Sequence, residues 1–409
     1  MAELLPTTEH APADNGSYVY PDFQGLDYYD IDALLTDEQK RIRDEVRAFI
    51  TSDVDPIIEA AAQAMEFPRH LVPEFARLGL IGPVIPKEYG GGGYDNIVYG
   101  LMMQEVERCD SGLRSFCSVM GSLVMYPIWK YGSEEQRKKW LPALASGKAL
   151  GCFALTEPDH GSNPSGMETR VVRDGNGYRL TGYKRWSTNA SEADVAVVWA
   201  KDETDTIRGF LVDLHKEGVR APRIMDKWSL RAAITSEILF DDVHVSADDV
   251  LPGVSGLKGP LSCLTQARYG IAWGVVGAAM SCYDVALQHS RARRQFGRPI
   301  GGFQLIQERL TDMVQEITKA QLLNLRLGQM KNDGTMRPQQ VSLAKRNNCD
   351  MALNVARSAR QVLGGNGVLS MYPVMRHMMN LESVVTYEGT HEVHTLVVGQ
   401  DVTGENAFT

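Results

Sequence analysis

The sequence predicts an α+β chain in which a helical domain, a β domain and a helical bundle follow one another. Apolar residues recur at helical spacing on either side of the middle of the chain. The middle instead holds short runs rich in β-branched and aromatic residues, and turn signals separate those runs. With 409 residues, 44% hydrophobic and 23% charged, the chain can bury several cores.

Residues 1–35 read as an N-terminal arm that ends in the aromatic-rich "SYVYPDFQGLDYYDID". Residues 36–148 are predicted to be an N-terminal α-helical domain. Thr36 and Gln39 have capping-box spacing, and Ile42, Val46, Phe49 and Ile50 follow at i, i+4, i+7 and i+8. Ser133 and Gln136 open a second helix in the same way. The four glycines at 90–93 lack the lysine and the strand–helix context of a phosphate loop, and read as a mobile turn.

Residues 149–258 turn to β. "GYRLTGYKRWSTN", "VAVVWAK", "IRGFLVDL" and "EILFDDVHV" are strand-like, and Asp174-Gly175 and Asn176-Gly177 are hairpin signals. No helical pattern alternates with them, which argues against a parallel nucleotide-binding sheet and predicts an antiparallel sheet or small barrel. Residues 259–409 return to long helical patterns. Leu310, Met313 and Ile317 share a face, with Gly334 just past that helix's end. Gly270, Gly274 and Gly277 lie inside the preceding helix, each costing about 1 kcal/mol relative to alanine. That cost predicts the close approach of another helix.

The 42 basic residues against 51 acidic ones, a net charge of -9 and the lack of a basic run argue against a nucleic-acid partner. The most apolar stretch, 269–282, is shorter than the roughly 20 residues of a membrane span and reads as a buried helix. "MAELLPTTEH" resembles neither a secretory nor a mitochondrial leader, so a cytoplasmic, bacterial chain with no membrane partner is expected. Cysteines at 109, 117, 152, 263, 282 and 349 form no C-x-x-C pair and read as reduced, buried thiols. In "TYEGTHEVHT", residues 386–395, His391 and His394 are three apart. The zinc pattern H-E-x-x-H spaces them by four, so no metal site is expected and both histidines are assigned to the last helix as packing or surface residues.

Four segments then act together: "CFALTEPDHGSNPSGMETR", "KRWSTN", "RRQFGRPIGGFQLIQ", and "QVLGGNGV" followed by "TYEGTHEVH". In this order, across an α, β, α plan, they closely resemble the acyl-CoA dehydrogenase family of flavoproteins, and within it the glutaryl-CoA dehydrogenase branch. The resemblance runs from about residue 36 to 408. It implies an N-terminal α domain, a middle β domain of barrel or sandwich form and a C-terminal four-helix bundle. It also implies a homotetramer with FAD between domains and subunits. Phe153, Ala154, Leu155, Thr156 and Ser162 match positions lining the flavin and its phosphates, and Trp186, Ser187 and Thr188 match the strand over the isoalloxazine face. Arg293, Phe296 and Gln304, from a neighbouring subunit, and Gln361, Val362, Leu363, Gly364 and Gly365 match the grip on adenine and diphosphate. Thr390 and Phe408 match later FAD contacts. A glycine-rich turn suits that role, because its amides approach an anion with no Cβ between, and an arginine adds charge-assisted hydrogen bonds.

Glu388 matches the family's base, which takes the α-proton of an acyl thioester while a hydride leaves the β-carbon. A dry site would raise its pKa. On the resemblance, Arg114 and Ser115 meet a distal carboxylate, with Glu107 and Tyr387 completing a polar network. Glu107 and Arg114 are seven apart and so share a face if one helix carries both. Leu261, Leu264 and Arg268 match the contact region for thioester and pantetheine, Ser162 lies near both ligands, and Gly389 lets the backbone approach the thioester. The resemblance therefore implies oxidative decarboxylation of glutaryl-CoA to crotonyl-CoA, with electrons passed to an electron-transfer flavoprotein. The alternatives are a dehydrogenase of another dicarboxylic, branched or biosynthetic acyl thioester, or a non-decarboxylating variant. Departures point to the alternatives: Ser187 stands where relatives carry isoleucine, and Leu113, Phe116 and Cys117 replace tyrosine, alanine and methionine, which is expected to reshape the acyl pocket.

Overall fold

Helices start where the sequence puts their caps: Thr36 and Ser133 each accept the amide three residues on, and Gln39 and Gln136 return the bond. The computed structural model describes residues 26–408; the rest of the expected arm lies outside the described residues. Seven helices come first: α1 (Asp37–Phe49), α2 (Asp55–Ala64), α3 (Val72–Arg77), α4 (Asn96–Cys109), α5 (Ser111–Ser118), α6 (Tyr126–Tyr131) and α7 (Glu134–Ala145). Val46, Phe75, Met102, Val106 and Leu141 meet in one core, as the 3.6-residue stripe demands. The glycine run is a packed turn rather than a mobile one. The amides of Gly91, Gly92 and Gly93 donate to the carbonyls of Pro86, Gly82 and Ile85, and a Cβ on Gly91 would stand 2.2 Å from the Ile85 carbonyl oxygen.

Seven strands follow: β1 (Gly151–Ala154), β2 (Arg170–Asp174), β3 (Gly177–Thr188), β4 (Val195–Lys201), β5 (Ile207–Asp213), β6 (Val219–Arg220) and β7 (Thr235–Ser246). They form one sheet ordered β1-β4-β2-β3-β7-β6, with β5 paired to β4. Asp174 pairs with Gly177 across the predicted two-residue turn, where Gly175 takes a φ of 58°. The sheet is mixed rather than wholly antiparallel, because β1 lies parallel to β4 and Arg170 of β2 bridges Lys201 of β4 in parallel. The intervening β2–β3 hairpin supplies the long connection that parallel neighbours need, so no crossover helix is required.

The last helices are α8 (Lys258–Ala292), α9 (Gln304–Asn332), α10 (Pro338–Leu363), α11 (Val374–Val384) and α12 (His391–Thr403), with a short hairpin between α8 and α9. The α8 glycines earn their helix penalty by contact with α4. A Cβ on Gly270 would meet the Tyr99 hydroxyl at 2.3 Å, and one on Gly277 would meet the Gln104 carbonyl at 1.9 Å. Helix α8 is long and apolar enough to cross a membrane, yet 78% of its most apolar window is buried inside the protein, as expected of a core helix. All six cysteines are buried and unpaired. Leu26 and Ile31 anchor the described end of the arm in the two helical cores.

Candidate active site

Glu107 and Arg114 do not share one helix, contrary to the simplest reading of their spacing. Asp110 is extended, with φ -156° and ψ 134°, and separates α4 from α5. Its carboxylate accepts the Gly112 amide at 2.7 Å and the Asn380 side chain of α11 at 2.9 Å, so the break is held from outside the helix pair. The bend turns Arg114 Nε onto Glu107 Oε2 at 2.6 Å, with both side chains at most 1% exposed. Gly274 of α8 leaves room for the pair, since a Cβ there would stand 2.1 Å from Glu107 Oε2. Arg114 Nη2 also donates to the Tyr387 hydroxyl. Burial pushes the Glu107 carboxyl up despite Arg114. Ser115, next along α5, is buried as well.

Glu388 lies in the turn between α11 and α12, directly after Tyr387. Thr390 caps α12 by accepting the Val393 amide at 3.2 Å. Before it, Glu388 has φ 53° and Gly389 φ 101°. A glutamate in the left-handed region persists only when its surroundings over-determine it. Here Arg268 Nε donates to the Glu388 carbonyl at 2.6 Å, and Lys345 Nζ donates to the carbonyls of Gly389 at 3.0 Å and Val385 at 3.2 Å. Glu388 Oε2 is buried with no hydrogen-bond partner among the described residues. Burial pushes this carboxyl up to about 7, against the opposing pull of Arg114, Arg268 and Lys345. A carboxyl poised near neutrality can take a proton and give it back. His394 is buried against Gly389, whose Cβ position lies 2.9 Å from Nε2, while His391 is partly exposed. Among the described residues no three candidate ligands cluster about a metal site.

On the β side, Phe153, Ala154 and Leu155 are buried, and the Thr156 carbonyl accepts the Arg185 amide at 2.8 Å, tying the end of β1 to β3. Strand β3 shifts register between Lys184 and Ser187, and at that bulge Trp186 takes φ 64° and is 55% exposed. Buried Lys184 braces it through the Leu155 carbonyl and Glu157, each at 2.9 Å. Ser187 is buried and Thr188 partly so; Ser162 is exposed on a loop. Leu261 and Leu264 lie upstream of Arg268 on α8. Arg293 ends α8, Phe296 is 94% exposed at φ 50°, and exposed Gln304 starts α9. Gln361 is exposed, Val362 and Leu363 are buried, and nothing lies within 4 Å of where a Cβ on Gly364 or Gly365 would stand. Phe408 is 54% exposed. The structure thus joins Glu107, Arg114, Tyr387, Glu388, Gly389 and Arg268 by direct contacts. It leaves Arg293, Phe296, Gln304, Gln361, Gly364, Gly365 and Phe408 as a separate exposed set.

Sequence reasoning missed Lys345. It sits at 1% exposure beside Val341, Ala344 and Asn348 on the buried face of α10, and a charge on an apolar stripe is the signal that marks it. It also missed Asp110 and Asn380, for which no local pattern exists. Leu113, Phe116 and Cys117 lie in the N-terminal core, where the Phe116 ring packs 4.7 Å from Phe67 and 5.9 Å from Phe75.

The domain families described as the acyl-CoA dehydrogenase N-terminal, middle and C-terminal domains match residues 36–148, 152–243 and 255–403. Over 375 residues the chain is 36% identical to the probable acyl-CoA dehydrogenase YngJ of Bacillus subtilis, spanning 90% of this chain and 98% of that protein. The chain belongs to the acyl-CoA dehydrogenase family. Two solved structures of glutaryl-CoA dehydrogenase from Mycobacterium smegmatis superpose on this acyl-CoA dehydrogenase with a TM-score of 0.92. One is 49% identical and covers 95% of this chain and 100% of its own; the other, in complex with FADH2, is 46% identical and covers 94% and 99%. FAD is the family's cofactor, and the residues present fit it. Bulky Trp186 and Phe296 are exposed at strained positive φ, and the backbone of Gly364 and Gly365 is open to the close approach of a phosphate.

Proposed function

We propose that this acyl-CoA dehydrogenase oxidises and decarboxylates glutaryl-CoA to crotonyl-CoA and CO2. The observation that carries this reading is the buried Arg114 held between Glu107 and Tyr387, immediately beside the raised carboxyl of Glu388. A buried guanidinium is poorly suited to an alkyl chain and well suited to a carboxylate tail, which its fork can grip through two bonds. Glu107 and Tyr387 take two of its five N–H groups, leaving others for the substrate.

In this reading Ser115, Arg114, Glu107 and Tyr387 orient the distal carboxylate, which places the α-carbon against Glu388. Leu261, Leu264, Arg268, Ser162 and Gly389 line the path of thioester and pantetheine. Glu388, as carboxylate, takes the α-proton. FAD, when bound, supplies the acceptor for the β-hydride. The conjugated thioester so formed is vinylogous to a β-keto acid, so its distal carboxylate can leave as CO2, and Glu388 returns its proton to the carbon chain. Phe153, Ala154, Leu155, Thr156, Trp186, Ser187, Thr188, Thr390 and Phe408 would hold the cofactor within one subunit. Arg293, Phe296 and Gln304 would reach it from a neighbour, with Gln361, Val362, Leu363, Gly364 and Gly365 at the diphosphate end. That division accounts for a Phe296 that is 94% exposed in a single chain by giving it a neighbouring subunit to meet, in an assembly we propose to be a homotetramer. An electron-transfer flavoprotein would take the electrons.

The test is anaerobic addition of glutaryl-CoA to the FAD-loaded enzyme. Bleaching of the flavin absorbance with crotonyl-CoA identified by mass is the expected result. Faster turnover of butyryl-CoA than of glutaryl-CoA would overturn the substrate assignment. Release of glutaconyl-CoA would favour a non-decarboxylating variant.

A further inference from the structure

The turn that carries Glu388 is tied to the protein by two cations from different helices, Lys345 buried and Arg268 half-buried. Arg268 of α8 donates to the Glu388 carbonyl at 2.6 Å, and Lys345 of α10 donates to the carbonyls on either side, Gly389 at 3.0 Å and Val385 at 3.2 Å. Lys345 is 1% exposed and, among the described residues, donates its hydrogen bonds to backbone carbonyls and to no carboxylate. An ammonium in so dry a place is costly unless the geometry needs it. What it holds is a residue at φ 53° followed by a glycine at φ 101°, a backbone that relaxes once its carbonyls are released.

We propose that Lys345 is a positioning residue that clamps the Glu388–Gly389 turn and sets one of three positive charges against the Glu388 carboxylate. The inference rests on the reading of Glu388 as the base. Three cations act on the Glu388 carboxyl, Arg114 of α5, Arg268 of α8 and Lys345 of α10, and the carboxyl in turn acts on the hydroxyls of Tyr99 and Tyr387. Around them, the Glu107 carboxyl on α4 and the Cys349 thiol face Tyr387, and the His394 imidazole faces Arg268 and Lys345. Burial pushes the two hydroxyls and the thiol up and the imidazole down, which keeps all four neutral around pH 7. The cations therefore set how far burial raises the base. Burial, with Arg268 and Arg114, lowers Lys345 itself, and Cys349 and Glu388 offset this only in part.

Two substitutions separate the clamp from the charge. Lys345→Met removes both; Lys345→Gln removes the charge and keeps N–H donors for the carbonyls. On FAD-loaded enzyme, the acid limb of kcat/KM against pH is expected to move up by about one unit in both variants. Amide hydrogen exchange in segment 385–391 is expected to quicken about tenfold in Lys345→Met and to stay within about twofold of wild type in Lys345→Gln. If Lys345→Met does not fold, Lys345→Gln still decides the charge through the acid limb. Folded variants with an unmoved acid limb and unchanged exchange would overturn the proposal. Wild-type turnover in Glu388→Gln would overturn the base reading instead, and exchange in Lys345→Met would then still decide the clamp.

Discussion

Replacing Gly274 by alanine tests whether the buried pair is the specificity element. The new Cβ would stand 2.1 Å from Glu107 Oε2 and 3.2 Å from both Cδ and Nε of Arg114. Restoring ordinary contact requires the carboxylate to withdraw by about 1 Å or more. Retreat of helix α4 would open the tight contact one turn on, where its Gln104 carbonyl lies 1.9 Å from the Cβ position of Gly277. The Glu107 and Arg114 side chains must therefore yield, and they move together because Nε bonds Oε2 at 2.6 Å. Overpacking of this kind costs about 1–3 kcal/mol, and replacing a mid-helix glycine returns about 1 kcal/mol. The net loss of stability is then about 0–2 kcal/mol, and the enzyme remains folded. Misplacing a substrate anchor by about 1 Å is worth about 100-fold in rate. We expect kcat/KM for glutaryl-CoA to fall about 100-fold, and that for butyryl-CoA, which lacks the distal carboxylate, to fall less than about tenfold. Anaerobic flavin reduction by stopped flow with both thioesters, alongside thermal unfolding, measures both quantities. Wild-type activity on glutaryl-CoA, or an equal loss on the two substrates, would refute the reasoning.

Glu388→Gln should lower turnover by about 100-fold to 10,000-fold, with FAD still bound by its absorbance. In the wild type, kcat/KM should fall as pH drops through about 7, because burial raises Glu388 to about 7 and only the carboxylate is a base; an acid limb in the ordinary carboxylate range would show that the site is wet. Buried His377 is lowered to about 3 by burial and then Arg376. The unfolded chain protonates this group below about 6.5, so between that pH and about 3 the unfolded state binds the extra proton and stability drops as pH falls. His377→Leu should therefore lose less stability between pH 7 and pH 5 than the wild type in urea unfolding, and an identical loss would contradict the assignment.

Much of the fold is legible locally. The capping boxes at Thr36 and Ser133 and the hairpin at Asp174 depend on contacts within a few residues, and each forms as read. The α8 glycines announce a close helix, but only the packed structure shows that the gap at Gly274 is filled by Glu107. The parallel pairing of β1 with β4 escapes local reading because it joins strands separated by a complete hairpin. Glu107 and Arg114 do pair, though not along one helix. The break that brings them together is capped by Asp110 and gripped from α11 by Asn380, which is 270 residues away.

The sequence by itself determined the α, β, α order and the placement of caps and glycines, which are written in short-range spacing, and it marked Glu388 through the resemblance of its motif to the family's. Tertiary structure alone decided how that glutamate behaves. Its ionisation near pH 7 is the balance between loss of water and the charges of Arg114, Arg268 and Lys345, which arrive on three different helices. Desolvation and Coulomb attraction depend on distance in space, and no spacing along the chain encodes them.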